Sequence, residues 1–335
     1  MTQQLILHIG HPKTGTTTLQ KTLQASRPAL LAEGILHPDT GPHHNHKILL
    51  PYLTGNYLAS QTPASQLRKT DPTSVMLESS TKWASVLQDI RKHDPNTIIL
   101  SSEQLFRVTN SGELQNLAGL IKPIAPVVVI AAYLREPASA TLSTAQQLLK
   151  SQPGFKMLPK DYFRRSLEPY TNCGLGSMKV RVFDRSSLEG GDIVKDFFKQ
   201  HAPAFVSNKL THHKDENTTV SPEAMALMQE INRMERSFPS IKAFKKIMNA
   251  IDTEVEGYSR PCIHDYIRHA MHARCTDLGW LEDKFGLVFP NVDTTAMSES
   301  EANRVCDSLD LVKDICEIDA DRKEKLWHAA CKTFS

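Results

Sequence analysis

The sequence predicts an α/β fold with a central, mostly parallel sheet and a helical C-terminal elaboration. Over roughly the first 200 residues, short apolar runs alternate with segments of helical periodicity. Residues 127–134 (VVVIAAYL) are almost continuously apolar, which is typical of an interior parallel strand. From about Ser221 onward the pattern turns helical. Alternating strands and helices indicate βαβ units whose sheet is covered by helices on both faces.

The individual elements follow from periodicity and from the positions of glycine and proline. Strands are predicted at 5–9, 34–38, 97–101, 127–134 and 179–183. Helices are predicted at 16–31, 80–93, 113–121, 138–150 and 192–201. Residues 40–72 give no clear assignment. The predicted organisation is an α/β core at 1–205 and a mainly helical extension at 206–335 that packs on the core, with a single domain also possible.

Composition indicates an ordinary globular protein. The chain has 335 residues and a formal net charge of +2, too near neutral to favour a nucleic-acid partner. No run of about 18 apolar residues occurs, and the first ten residues lack signal-peptide features, so we expect no membrane span and a cytoplasmic location. The six cysteines form no CxxC pair, which favours free thiols over disulfides or zinc ligands.

The segment 10–18 (GHPKTGTTT) lies between the first predicted strand and the first predicted helix. A glycine-bearing turn at a helix N-terminus aims several backbone N–H groups at one point and favours an anion with several oxygens. Lys13 adds a positive charge, and Thr16, Thr17 and Thr18 add hydroxyl groups. The segment therefore predicts an anion cradle, although a plain glycine–threonine helix cap is the alternative.

A nucleotide triphosphatase loop reads GxxxxGK[ST]. Gly10 and Gly15 have this spacing, but Thr16 stands where the lysine belongs, and no predicted strand ends in an obvious metal-binding aspartate. A magnesium-triphosphate site thus lacks two of its parts. The GxGxxG dinucleotide fingerprint is absent as well.

The string PKTGTT followed by Leu19-Gln20 resembles the bacterial branch of the sulfotransferases that use 3'-phosphoadenosine 5'-phosphosulfate (PAPS). The resemblance covers roughly residues 5–200 and implies a P-loop-like three-layer sandwich. It makes this segment the 5'-phosphosulfate loop, with Lys13 on the bridging oxygen of the leaving group. The cofactor-binding residues it implies here are Pro12, Lys13, Thr14, Gly15, Thr16, Thr17 and Thr18.

A second motif matches the same family independently. Arg135 follows the strongest predicted strand, Pro137 comes two residues later, and Ser143 comes eight residues after Arg135. The resemblance makes Arg135 and Ser143 the 3'-phosphate contacts. Arginine suits this role because its planar fork grips a phosphate with two parallel hydrogen bonds. The Arg-Lys-Gly triplet of many animal members is missing, which leaves the third phosphate contact unassigned.

The resemblance implies transfer of a sulfuryl group from PAPS to an acceptor hydroxyl or amine, with adenosine 3',5'-bisphosphate as product and no metal requirement. The acceptor would be a small molecule, a carbohydrate or a lipid. The base that takes the acceptor proton would be Glu103, after the strand 97–101, or His46, in the cluster His43-His44-Asn45-His46. The residues do not decide between them.

Two other function classes stay open at this point. A P-loop nucleotide kinase or triphosphatase would bind ATP with magnesium, and the displaced lysine argues against it. A non-catalytic nucleotide-binding module would keep both phosphate sites without a working base.

Overall fold

The computed structural model describes residues 2–61, 71–205, 210–211, 219–234 and 241–334. The chain divides into two compact units that interleave along the sequence. The first comprises Met1–Arg135, Asp161–Asp215 and Asp277–Val288, and the second comprises Glu136–Lys160, Glu216–Thr276 and Phe289–Ser335. Residues 136–160, assigned from the sequence to the core, thus belong to the second unit. The predicted domain boundary at residue 205 stays a prediction.

The first unit contains a five-stranded sheet in which every pairing is parallel. Its strands are β1 (Gln4–Ile9), β2 (Ile35–Leu36), β3 (Thr97–Ser102), β4 (Val127–Leu134) and β5 (Ser177–Val182). Their order across the sheet is β2-β3-β1-β4-β5. The prediction of an α/β fold with a parallel sheet is therefore confirmed.

The described residues contain fifteen α-helices. The first eight are α1 (Thr16–Ala25), α2 (Arg27–Ala32), α3 (Leu50–Thr54), α4 (Pro72–His93), α5 (Ser111–Ile121), α6 (Pro137–Leu149), α7 (Tyr162–Asn172) and α8 (Ile193–His201). The others are α9 (Pro222–Arg233), α10 (Ile241–Ile251), α11 (Asp265–Ala273), α12 (Leu278–Phe285), α13 (Glu299–Ser308), α14 (Val312–Ile315) and α15 (Ala320–Phe334). Short 3₁₀ helices occupy Lys47–Leu49, Glu103–Arg107 and Glu189–Gly191.

Proline accounts for two differences from the sequence prediction. The single helix expected at 16–31 is two helices that meet at Ser26, since Pro28 lacks an N–H group and fits only the first turn of a new helix. Helix α7 was not predicted, and it contains Pro169 in its interior.

Helix α4 starts eight residues earlier than expected, where the Asp71 carboxylate accepts hydrogen bonds from the N–H groups of Thr73 and Ser74.

The strands β1, β3 and β4 are buried on both faces, whereas the residues of the edge strand β5 are half-buried or exposed. On β1, all residues after Gln4 are buried, so side chains of both parities lie in the core. One face packs Ile6, Ile99 and Tyr133 against a cluster that includes Leu19 of α1 and Phe197 of α8. Burial of both faces explains why the strands read as continuous apolar runs rather than as alternating patterns.

The described part of the second unit is almost entirely helical. Its core joins α6, α9, α11, α13 and α15 through small and apolar side chains such as Ala145, Met228 and Leu326. A buried ion cluster lies within it, where Arg322 donates to the carboxylates of Glu223 (2.7 Å) and Asp252 (3.1 Å). Among the residues described in the two units, no helix is both long and apolar enough to cross a bilayer.

Candidate functional site

The carboxyl ends of β1 and β4 lie side by side at one edge of the sheet. The chain leaving β1 runs to β2 on one side of the sheet, whereas β4 is followed in sheet order by β5 on the other side. Connections that diverge from neighbouring parallel strands open a crevice where ligands bind in such sheets. The residues that follow β1 and β4 therefore occupy the edge where a ligand site is expected.

The segment after β1, residues 10–15, is named the anion loop here. Lys13 has φ 65° and Gly15 has φ 69°, so both residues adopt the left-handed conformation. The Thr14 hydroxyl donates a 2.7 Å hydrogen bond to the His11 carbonyl and holds the turn closed. Helix α1 starts directly after Gly15, which has no side chain to accept from the first N–H groups of the helix. The loop thus delivers Lys13 to a positively polarised helix end.

The two glycines of the anion loop allow close packing around it. A Cβ atom added to Gly10 would overlap the methyl group of Thr16. A Cβ atom on Gly15 would lie 3.1 Å from the Phe183 ring and 3.2 Å from the Ile193 side chain. Only glycine fits both positions without displacing neighbours, and at Gly15 the positive φ adds a second requirement. The sequence prediction of a glycine-dependent turn agrees with this geometry.

Arg135, the first residue after β4, reaches the anion loop. Its Nη1 donates a 3.3 Å hydrogen bond to the carbonyl oxygen of Lys13. Its guanidinium carbon lies 5.9 Å from the centre of the Phe183 ring, the same ring that limits space at Gly15. Lys13 and Arg135 are both half-buried. The two predicted anion contacts in the first unit thus adjoin each other, and a chain with a net charge of +2 concentrates two cations there.

The remaining residues predicted to bind the cofactor have mixed environments. Pro12, Thr17 and Thr18 are half-buried at the turn and in the first turn of α1. The hydroxyl groups of Thr14 and Thr16 already donate within the protein, to the His11 carbonyl and to Glu103. Ser143 lies buried on α6 in the second unit. The assignment of these residues to a cofactor stays a prediction.

Glu103 follows β3 and begins the 3₁₀ helix Glu103–Arg107. Its Oε1 accepts a hydrogen bond from the Thr16 hydroxyl, which joins this carboxylate to the first turn of α1. Its Oε2 has no hydrogen-bond partner among the described residues. A carboxylate oxygen beside the anion loop is thus available to accept a proton.

His46 does not have the free nitrogen that a base needs. Its Nδ1 accepts a 3.0 Å hydrogen bond from the backbone N–H of Ser101, and its Nε2 lies 3.0 Å from the Pro38 carbonyl, to which it donates. Burial lowers the pKa of His46 to about 4. The sequence hypothesis that His46 is the base therefore conflicts with its contacts, since this ring joins the segment after β2 to β3 instead.

His44, two residues earlier, is the cluster member with an electrostatic link to Glu103. Its ring is half-buried, and burial followed by the charge of Lys21 lowers its pKa, while Glu103 acts in the opposite direction. The sequence grouped His43, His44 and His46 without distinguishing them, because no local pattern tells which histidine of such a cluster is packed. His44 replaces His46 as the histidine candidate at this site.

His11 lies inside the protein directly before Pro12. It is 1% exposed, and its ring makes edge contacts with Phe106 and Tyr162 at centroid distances of 5.0 and 5.5 Å. Among the described residues, neither ring nitrogen makes a hydrogen bond of normal geometry. Burial, assisted by the charge of Arg135, lowers the pKa of His11 to about 3. The ring is thus a neutral part of the wall behind the anion loop.

These residues bring two cations, a helix N-terminus and the Glu103 carboxylate together around one loop. The left-handed loop, the helix N-terminus and two cations can bind an anion with several oxygens. Among the described residues, no group of three or more His, Cys, Asp or Glu side chains is placed to hold a metal ion. No protein-family model, no curated protein and no solved structure matched the chain.

Proposed function

We propose that this chain is a PAPS-dependent sulfotransferase with a P-loop-like fold. The observation that carries the proposal is the hydrogen bond from Arg135 to the Lys13 carbonyl, which joins the end of β4 to the loop after β1. A nucleotide with phosphates on its 5' and 3' positions needs two anion contacts within the span of one ribose. The proximity of these two segments supports such a ligand.

The shape of the loop supports this assignment. A Cβ atom at Gly10 or Gly15 would collide with side chains that pack against the loop, so this loop shape depends on glycine at both positions. Lys13 and the first N–H groups of α1 would hold the 5'-phosphosulfate, and Arg135 would hold the 3'-phosphate. The hydroxyl groups of Thr14 and Thr16 would act indirectly, since they fix the loop and Glu103.

Sulfuryl transfer from PAPS is an in-line displacement in which negative charge builds on the leaving oxygen. The Lys13 ammonium group and the preorganised N–H groups of the anion loop stabilise that charge without having to reorient. Glu103 Oε2 accepts the proton of the acceptor hydroxyl, and His44 is the second candidate for this step. His46 has no part in proton transfer, because both of its ring nitrogens are occupied.

The test of the proposal is calorimetric binding of adenosine 3',5'-bisphosphate in the presence of a metal chelator. We expect tight binding by the parent chain and a loss of at least about tenfold in Arg135→Ala, equivalent to about 1.4 kcal/mol for one charge-assisted contact. Arg304→Ala, an exposed arginine of the second unit, is the matched control and should bind like the parent. Absence of binding by the parent chain would remove the proposal.

Two further measurements separate the other function classes. Binding of ATP only with magnesium would identify a kinase or triphosphatase instead. With labelled PAPS and a panel of acceptors, Lys13→Ala should lower turnover by about 10²–10³-fold, the usual effect of losing one preorganised donor. Bisphosphate binding with no turnover on any acceptor class would favour a non-catalytic module.

A further inference from the structure

A cavity of about 240 Å³ lies in the first unit between the 3₁₀ helix Glu103–Arg107 and the start of α5. The volume equals that of about eight water molecules in the liquid, so the cavity admits one small polar group rather than a drug-sized ligand. Its polar lining includes Asn56, Gln104, Arg107, Asn110 and Glu113. The sequence analysis assigned no role to these residues.

The side-chain amide groups of Asn110 and Gln104 have N–H donors that a ligand could use. Asn110 uses its Oδ1 to accept from the N–H groups of Gly112 and Glu113, as the N-cap of α5. Gln104 accepts at its Oε1 from the Ser102 hydroxyl. The amide nitrogens of Asn110 and Gln104 have no partner among the described residues. Both groups can donate to a ligand, and the Asn110 Oδ1 already accepts two hydrogen bonds.

Arg107 adds a positive charge to the same lining. It is exposed and has no hydrogen bond or ion pair with any described residue. Its charge opposes the burial that raises the pKa of Tyr162 to about 12. The guanidinium of Arg107 and the amide N–H groups of Gln104 and Asn110 are donors that suit a carboxylate.

Glu113 adds a carboxylate to the same lining. Glu113 Oε1 accepts a 3.0 Å hydrogen bond from Asn56 Nδ2, while Oε2 has no partner in the described part of the chain. A free carboxylate oxygen accepts from a hydroxyl group and repels a second acid. A ligand that satisfies both the donors and Glu113 carries a carboxylate and at least one hydroxyl.

One 3₁₀ helix, Glu103–Arg107, supplies residues both to the cavity lining and to the contact with the start of α1. Glu103, at the start of the 3₁₀ helix, contacts Thr16, whereas Gln104 and Arg107 line the cavity. With a rise of about 2.0 Å per residue, the helix separates Glu103 from Arg107 by on the order of 8 Å. A ligand anchored at Arg107 can therefore extend toward the base beside the anion loop.

We propose that this cavity holds the acidic end of the sulfuryl acceptor, and that the acceptor is a hydroxylated carboxylic acid of the sugar-acid type. The inference rests on the proposed function only in naming the ligand as the sulfuryl acceptor. The binding site follows from the residues that line the cavity. Arg107 binds the carboxylate, Gln104 and Asn110 donate to its oxygens, and Glu113 accepts from a ring hydroxyl. The reacting hydroxyl lies toward Glu103.

The experiment measures binding of D-glucuronate to the full chain by calorimetry, with D-glucose and succinate as matched probes. D-glucose lacks the carboxylate and succinate lacks the hydroxyls. We expect D-glucuronate to bind at least about tenfold more tightly than either probe, and Arg107→Ala to abolish that preference. Arg107→Lys should retain only part of it, because lysine cannot form the bidentate contact.

The outcomes separate this inference from the proposed function. Arg304→Ala should leave D-glucuronate binding unchanged, and Arg107→Ala should leave binding of adenosine 3',5'-bisphosphate unchanged. No detectable binding at about 10 mM D-glucuronate, equal affinity for D-glucose, or full binding by Arg107→Ala would each overturn the inference. The titration with D-glucuronate needs no nucleotide. If the chain did not bind adenosine 3',5'-bisphosphate but did bind D-glucuronate, the proposed function would fail and the inference about the cavity would stand.

Discussion

At the scale of single residues, the anion loop is defined as much by backbone conformation as by side chains. Lys13 has a positive φ although it is not glycine, which is uncommon and costs free energy. Such outliers concentrate at ligand sites, where the surrounding structure holds them in place. Here the Thr14–His11 hydrogen bond and the Arg135 contact to the Lys13 carbonyl hold the turn.

Gly15 and Gly174 offer a matched pair for testing the loop. Both have positive φ, 69° and 64°, but only Gly15 has side-chain neighbours within 4 Å of an added Cβ. We expect Gly174→Ala to lower the free energy of unfolding by about 1–2 kcal/mol, the usual cost of a left-handed alanine. Gly15→Ala should lower it further and also weaken binding of adenosine 3',5'-bisphosphate. Urea denaturation and calorimetry measure the two effects.

Equal stability of the two glycine variants, with unchanged nucleotide affinity in Gly15→Ala, would contradict this account of the loop. Gly10→Ala adds a second comparison, because it overlaps Thr16 without a positive φ. Any decrease in its free energy of unfolding would therefore arise from steric overlap alone, without backbone strain.

At the scale of elements, a buried carboxylate ties two strands to a helix. Asp196 of α8 accepts a 2.8 Å hydrogen bond from the Tyr133 hydroxyl on β4. It also accepts two hydrogen bonds, of 2.7 and 2.8 Å, from the guanidinium of Arg181 on β5. The Asp196 side chain is 1% exposed. Because Tyr133 lies two residues before Arg135, this network fixes the end of β4 from which Arg135 extends.

Asp196→Asn should destabilise the protein by about 3 kcal/mol. The substitution keeps the shape but removes the charge that Arg181 needs, and breaking one side of a buried pair costs about 3–5 kcal/mol. The lower end applies because the Arg181 side chain remains 31% exposed. Urea denaturation gives the value, with Glu189→Gln as the control.

The control removes the carboxylate of an exposed ion pair between the 3₁₀ helix Glu189–Gly191 and α8. Lys199 and Glu189 have side chains that are 58% and 47% exposed, so their pair contributes at most about 1 kcal/mol. If Asp196→Asn and Glu189→Gln lowered the free energy of unfolding by similar amounts, Asp196 would not be a stabilising link between β4, β5 and α8.

At the scale of the whole molecule, the notable feature is a set of buried neutral histidines in the first unit. Burial lowers the pKa of His8 and His11 to about 3, and that of His46 and His201 to about 4. In the unfolded chain each has a pKa near 6.5. Below that pH the unfolded state binds more protons than the folded state, so the free energy of unfolding decreases as the pH is lowered.

Stability should therefore be constant with respect to these histidines above pH 6.5 and fall between about pH 6.5 and pH 4. Each histidine contributes a slope of up to about 1.4 kcal/mol per pH unit. His201→Phe should flatten the slope by one histidine's share, since the ring lies against Phe197 and its Nδ1 has no hydrogen-bond partner among the described residues. Urea midpoints measured at several pH values test this.

His93→Gln is the control for the acid transition, because His93 is exposed at the end of α4. It should leave the slope unchanged. A parent chain equally stable at pH 7 and pH 5 would contradict the assignment of neutral histidines.

The sequence by itself determined the strand–helix alternation, the parallel sheet and the loop that follows β1. These follow from local signals, since apolar runs mark buried strands and glycine with threonine marks a helix start. It also singled out Lys13, Arg135 and Glu103 as candidates, because each lies at or shortly after the carboxyl end of a strand, where parallel sheets bind ligands. These features needed no knowledge of distant contacts.

Only the tertiary structure decided which residues meet. Strand order put β4 beside β1 and so brought Arg135 to the Lys13 carbonyl, 122 positions away in the chain. It placed both ring nitrogens of His46 against backbone groups and left His44 near Glu103. Periodicity reports whether a side chain is buried, but hydrogen-bond partners depend on segments far apart in sequence. Burial and partnership together decide whether a histidine is a packed ring or a base.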